Sequence, residues 1–221
     1  MTWYQGATLL HMLETAHIES DYNHIDSRFQ VQYVVRPQSK EYHDFRGYAG
    51  RVAGGIFRPG EEVVVLPSGF TSKIKSITLG SVEVEEAFAP MSVTMTLEDE
   101  IDISRGDIIA KPNNHTQSEQ DVDLMICWMN QRAVNLNTKF YLRHTTREVR
   151  GVLKEIQYKL DINSLHRIEN AEQLLMNEIA RVKIRTAKPL AFDSYRKNRI
   201  NGSVILVDEG TNETVAAGMI V

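Results

Sequence analysis

The sequence is poor in the residues and spacings that usually carry catalysis. It holds one cysteine, Cys127, in 221 residues. No internal disulfide is possible, which points to a reducing compartment, the cytoplasm. Set in Leu124-Met-Ile-Cys-Trp-Met129, that thiol reads as a small buried hydrophobe. No apolar run approaches the ~20 residues of a membrane span. No Lys or Arg precedes the first apolar residues, so no secretory signal is expected. There is no Gly-x4-Gly-Lys-Ser/Thr to wrap phosphates and no Asn-Lys-x-Asp to read guanine. No Gly-x-Ser-x-Gly elbow presents a nucleophile.

The histidines, His11, His17, His24, His43, His115, His144 and His166, form no i, i+4 pair with further ligands nearby. His17 and His24 share a loop with Glu19, Asp21 and Asp26. A metal or catalytic site there is the sharper reading, and solvated polar residues the favoured one. Asp44-Phe-Arg-Gly47 matches the Asp-x-x-Gly string of nucleotide switches. Without a phosphate-binding loop it is better read as a tight turn. No catalytic, cofactor-binding or metal-binding residue is therefore assigned.

Hydrophobic residues make up 42% and charged residues 24%, ordinary for a soluble globular protein. The net charge of −4 is uneven: −4 over residues 1–26, −2 over 27–112, −1 over 113–120 and +3 over 121–221. This argues against a nucleic-acid backbone as the main partner, since that demands a strongly basic face.

Residues 3–15 carry Leu9, Leu10, Met12 and Leu13 as an apolar stripe, an amphipathic helix that needs something to pack on. From Phe29 the period becomes two. Phe29, Val31, Tyr33 and Val35 alternate with Gln30, Gln32 and Val34, and Pro37 ends the run. Gly54-Gly55 and Pro59-Gly60 mark reversals, and short strands follow at Glu62–Leu66, Lys73–Ile77 and Val93–Leu97. About six short strands without a helix indicate a closed antiparallel barrel, which leaves no exposed edges. Residues 113–120 read as a polar linker, inside the stretch Pro112–Asp121. The second half is again strand-rich, at 123–129, 138–143, 148–160, 178–187, 202–207 and 214–221. Within 148–160 the apolar phase slips from Val149, Gly151 and Leu153 to Ile156, Tyr158 and Leu160, so a bulge near Lys154 is expected. One short helix is expected over 169–176. The two halves do not align as a repeat. The expected class is all-β, two consecutive antiparallel β-barrels: residues 1–26 helix and linker, 27–112 the first barrel, 113–120 linker, 121–221 the second barrel.

One charged feature stands out. Arg181, Lys183 and Arg185 share a strand face, and Lys188, Arg196, Lys197 and Arg199 follow, offset only by Asp193. Docking to an anionic partner and a solvated, aggregation-resistant sheet face weigh about equally here. The candidate docking residues are Arg181, Lys183, Arg185, Arg196, Lys197 and Arg199.

Arg46-Gly-Tyr-Ala-Gly-Arg-Val-Ala53 with Ile103-Ser-Arg-Gly-Asp107 resembles the barrel that follows the GTP-binding domain in elongation factor Tu and other translation-type GTPases. The resemblance narrows to the large, GTPase subunit of bacterial sulfate adenylyltransferase. Trp3-Tyr4-Gln-Gly6-Ala-Thr-Leu9-Leu10 looks like the last helix of that subunit's GTP-binding domain. Pro67-Ser-Gly69 is similar to its first barrel. Trp128-Met129, Leu175-Met-Asn-Glu-Ile179, Tyr195, Asn198-Arg199, Gly202-Ser203 and Ala216-Ala-Gly-Met-Ile220 resemble its second.

The resemblance implies a subunit that couples GTP hydrolysis to formation of adenosine 5′-phosphosulfate from ATP and sulfate, working with a small catalytic subunit. It also implies that the GTP-binding domain, with its GTP and Mg²⁺, is missing apart from one terminal helix. This chain alone is then expected to hold no cofactor, to be inactive, and to serve as scaffold and coupling module. Its partners would be the small subunit and its own GTP-binding domain, with no membrane. The alternative is a translation-factor-like module that binds RNA or a ribonucleoprotein, for which the basic stretch 181–199 is the support.

Overall fold

The computed structural model describes residues 6–16, 22–37, 45–114 and 116–221. His17, Glu19, Asp21, His43, Asp44 and His115 lie outside that set, as do Trp3 and Tyr4. Among the described residues, no helix is long and apolar enough to cross a membrane.

The helix α1 runs from Leu9 to Thr15, and the Thr8 hydroxyl caps it by accepting from the His11 N–H at 3.2 Å. None of its residues is buried. Leu9, Leu10, Met12 and Leu13 are 73%, 66%, 52% and 66% exposed, so most of the stripe seen in the sequence faces outward.

The first barrel contains β1 (Arg28–Val35), β2 (Gly47–Gly54), β3 (Ile56–Phe57), β4 (Glu62–Leu66), β5 (Thr71–Leu79), β6 (Val82–Glu83), β7 (Ala87–Phe88), β8 (Ser92–Leu97) and β9 (Ile108–Ala110). Six strands close in the order β4-β9-β1-β2-β8-β5, with β5 returning to pair β4. β6 extends β5, and β3 and β7 form a small ribbon. Alternation along the strands sends Phe29, Val31, Val52, Val63, Val65, Ile74, Ile77, Val93 and Met95 into one core. Each such side chain contributes about 1.5–3 kcal/mol by leaving water.

The second barrel contains β10 (Gln117–Trp128), β11 (Val134–Asn135), β12 (Lys139–His144), β13 (Arg147–Leu160), β14 (Arg167–Ile168), β15 (Gln173–Leu174), β16 (Ile179–Phe192), β17 (Ser203–Asp208) and β18 (Thr214–Ile220). It closes in the order β12-β17-β18-β10-β16-β13, with β13 returning to β12. Val122, Leu124, Ile126, Phe140, Leu142, Leu153, Val182 and Ile184 build its core. Trp128 packs edge-on against Phe140, centroids 5.9 Å apart.

Three local expectations are settled by the backbone. The β13–β16 ladder shifts register between Leu153 and Glu155, the bulge expected near Lys154. The helix expected at 169–176 does not form. Asn170 takes the left-handed conformation at φ 57°, which ends any helical run there. Gln173–Leu174 instead pairs with β11 and buries Leu174 in the core. β10 begins at Gln117, so the last four residues of the stretch read as linker are already strand, paired with the end of β16.

Gly50 shows how tightly β1 and β2 approach. A Cβ there would lie 2.0 Å from the Gln30 carbonyl oxygen. Gly50→Ala is expected to cost roughly 1–3 kcal/mol through forced backbone displacement. Urea denaturation checks this, and an unchanged midpoint would contradict the close approach.

Candidate functional site: a buried ionic seam between the barrels

β1 sends Phe29 and Val31 into its own core, so Arg28 and Gln30 point the other way. On an isolated barrel that face would be wet. Here the second barrel covers it, and Arg28 is fully buried. Val64, Leu66, Ile108 and Ala110 share this face and pack around Ala191 of the second barrel.

A buried guanidinium is costly unless every donor is matched. Arg28 finds a hydrogen-bond acceptor for each of its three guanidinium nitrogens. Its Nε donates to Asp193 Oδ2 at 2.7 Å and its Nη2 to Asp193 Oδ1 at 3.0 Å, a bidentate fork across the two barrels. Its Nη1 donates to the Ser27 carbonyl at 2.9 Å, to Asn114 Oδ1 at 3.1 Å and to the Asn114 carbonyl. Asp193 also accepts from Asn201 Nδ2 at 2.8 Å. The seam therefore ties the start of β1, the connection between barrels and the loop after β16 into one network.

A second layer surrounds it. Asn198 Nδ2 donates to the Ala53 carbonyl at 3.0 Å, and Asn198 Oδ1 accepts from the Asn201 N–H at 3.0 Å. Lys197 Nζ lies 3.1 Å from Asp26 Oδ1, and Asn23 donates to Asp26 Oδ2 at 2.6 Å. Burial alone would raise the Asp26 carboxyl, but the Asn23 hydrogen bond and the Lys197 ammonium outweigh it and hold the group below its usual range. His144 is buried at the end of β12, and its Nε2 donates to the Asn201 carbonyl at 2.8 Å. Burial pushes this imidazole down to about 4, against a smaller upward pull from that bond and from the Asp193 charge. It is neutral at pH 7.

The turn between β12 and β13 completes the contact. The Thr146 hydroxyl donates to the Val31 carbonyl at 2.8 Å, and Arg147 Nη1 meets Asp107 Oδ1 at 3.2 Å. Burial raises the Asp107 carboxyl despite this partner. Gly106, at φ 93°, lets the opposing turn come close, since a Cβ there would sit 2.9 Å from Arg147 Cβ.

The six basic residues singled out in the sequence are not brought together. Arg181, Lys183 and Arg185 lie on the outer face of β16, as alternation requires. Each meets an acid on a neighbouring strand: Arg181 meets Asp123 at 3.0 Å, Lys183 meets Glu155 at 3.9 Å and Arg185 meets Asp121 at 2.9 Å. Arg196, Lys197 and Arg199 sit in the loop after β16, where Lys197 belongs to the seam and Arg196 and Arg199 are exposed. Nothing in the sequence showed that Arg28, Asp193, Asn201 and His144 meet in one seam. Parity alone assigns Arg28 to solvent, and nothing local says that another domain covers it. No group of three or more potential metal ligands occurs among the described residues.

A family model described as GTP-eEF1A C-terminal domain-like matches residues 121–221. The bifunctional enzyme CysN/CysC of Mycobacterium tuberculosis is 48% identical over 219 residues, covering 99% of this chain and 36% of that protein. Sulfate adenylyltransferase subunit 1 of Bacteroides fragilis is 47% identical over 219 residues, covering 99% of this chain and 45% of that protein. The chain belongs to the sulfate adenylyltransferase subunit 1 family, as its barrel portion. It spans less than half the length of these two relatives. The structure of Sup35 complexed with GDP superposes with a TM-score of 0.80 over 100% of this chain and 53% of that one. At 16% identity that likeness shows the fold alone.

The strings noted in the sequence take definite places in this fold. Arg46–Ala53 forms most of β2, which carries Ala53, the residue whose carbonyl meets Asn198. Asn198, Gly202 and Tyr195 surround the seam. At Gly202 a Cβ would meet the Tyr195 backbone at 2.4 Å, so the loop after β16 can fold tightly against β17 only with glycine there.

Proposed function

We propose that this chain is the barrel portion of the GTPase subunit of a sulfate adenylyltransferase. There it acts as scaffold and coupling module for GTP-driven synthesis of adenosine 5′-phosphosulfate from ATP and sulfate. The observation that carries this reading is the 47–48% identity to the named relatives over 99% of the chain. GTP and Mg²⁺ would be held by a GTP-binding domain outside these 221 residues. The catalytic partner would be the small subunit, in a reducing cytoplasm.

The physical logic is that of domain docking. A module that passes a nucleotide-dependent change to a partner must move as one body, or the motion dissipates between its parts. The seam supports that requirement, because separating the barrels would strip Arg28 and Asp193 of their partners in a low-dielectric setting. The exposed Leu9, Leu10 and Leu13 of α1 support a neighbour lying against them, and the GTP-binding domain is the neighbour proposed.

Size-exclusion chromatography of the chain mixed with the small subunit of a sulfate adenylyltransferase tests the reading. Co-elution at micromolar concentrations is expected. Failure to associate, together with RNA binding that falls steeply with salt, would move the chain to the binding-module class.

A further inference from the structure

The second barrel carries an open groove of about 480 Å³ on its outer wall, where β12, β13 and β16 run side by side. Lys139, Arg150, Lys154 and Arg185 line it, and Glu209 is the one carboxylate among the lining residues. The strand register explains the convergence. Lys139 sits opposite Val152, and Val152 opposite Arg185, so one row of the sheet places a cation on each side of a short side chain. Val152 and Ala187 are too small to fill the space between the long basic side chains. Lys154 is the bulged residue, and the bulge leaves both Lys154 and Glu155 exposed. A bulge re-aims a side chain in this way.

The charge in this groove is not cancelled. Arg185 has Asp121 at 2.9 Å, and Arg150 has Glu209 at 3.5 Å. Lys139 and Lys154 are exposed and meet no acid among the described residues. This contrasts with Arg181 and Lys183 further along β16, where each cation has its own carboxylate. Lys139 on β12 and Lys154 on β13 therefore add positive charge beside Arg185, at the edge of the face that the sequence pointed to.

The chemistry selects the occupant. The unpaired donors are lysine ammonium groups, compact point charges that suit separate carboxylates. Arg185 and Arg150, whose forks would grip phosphates in pairs, each already meet one carboxylate. Single-stranded nucleic acid also needs free aromatic faces on which to stack bases. Tyr141, the aromatic beside the groove, has the Arg150 guanidinium over its ring at 5.7 Å.

We propose that this groove docks a carboxylate-rich segment of a partner protein. The proposal does not rest on the sulfate-activation reading and would survive its failure.

The test is a fluorescence-anisotropy titration of a labelled oligoglutamate peptide with the full chain at low salt. The Lys139→Glu/Lys154→Glu double variant is compared with Lys73→Glu/Arg196→Glu, a control that changes net charge equally at exposed sites elsewhere. Both pairs are exposed, so folding should be preserved, and thermal melts confirm it. Binding is expected with the unaltered chain and the control. It should weaken by about tenfold or more in the groove variant, and in all three as salt rises. Absence of binding to the unaltered chain would overturn the proposal. Equal loss in both variants would overturn it too, since that reports net charge alone. A labelled oligouridylate bound more tightly than the peptide, and lost in the groove variant, would reassign the groove to nucleic acid.

Discussion

Arg28→Ala is expected to destabilise the protein by about 3–5 kcal/mol, because it strands a buried carboxylate without its counter-ion. Asp193 would keep only the Asn201 amide, and Asn114 would lose its partner at both oxygens. The apolar contact around Ala191 comprises five residues, Val64, Leu66, Ile108, Ala110 and Ala191 itself. Arg28→Lys keeps the charge but loses the two-pronged geometry, so an intermediate loss is expected. An Arg28→Met/Asp193→Leu double variant should recover part of the loss relative to Arg28→Ala, since it leaves no unpaired charge. Urea denaturation at pH 7 measures all three. A loss below about 1 kcal/mol for Arg28→Ala, the level of an exposed ion pair, would mean that the seam is wet in solution.

Acidification is expected to weaken the fold through His144. The unfolded chain takes up its proton near the ordinary pKa of 6.5, and the folded chain only near 4. Between those values the unfolded state binds the extra proton, so stability falls as pH falls. The slope is about 1.4 kcal/mol per pH unit, which sums to about 3 kcal/mol across the window. Above pH 6.5 both states are neutral and the residue contributes no pH dependence. The groups facing the ring are Asp193, which favours its charged form, and Arg147, which opposes it. His144→Gln keeps a donor for the Asn201 carbonyl and removes the titration. The difference in pH slope between the two proteins, followed from pH 7 to 5 by urea midpoints, isolates this residue from the other six histidines. Parallel slopes would place His144 in contact with water.

Where a residue's fate depends on its own strand, the sequence was readable. The β13 bulge followed from the slip between Leu153 and Ile156, and the strands at 139–144, 203–208 and 214–220 lie within a residue or so of their expected bounds. The misses have a common cause in tertiary context. Residues 169–176 have helical composition, but the left-handed turn at Asn170 and the burial of Leu174 override that preference. Gln117–Gln120 look like linker because neither of their faces covers a core, yet they extend β10 by pairing with the end of β16. Arg28 and Asp193 are 165 residues apart, and no local pattern joins them. The basic stretch on β16 was legible as a surface. The acids at Asp121, Asp123 and Glu155 that accompany it come from flanking strands, visible only once register is known.

The proposed coupling role requires that the two barrels behave as one body, and scanning calorimetry tests that most directly. One transition is predicted, with calorimetric and van't Hoff enthalpies equal, because neither barrel can expose its half of the Arg28–Asp193 pair independently at low cost. Two resolved transitions, one per barrel, would contradict the account.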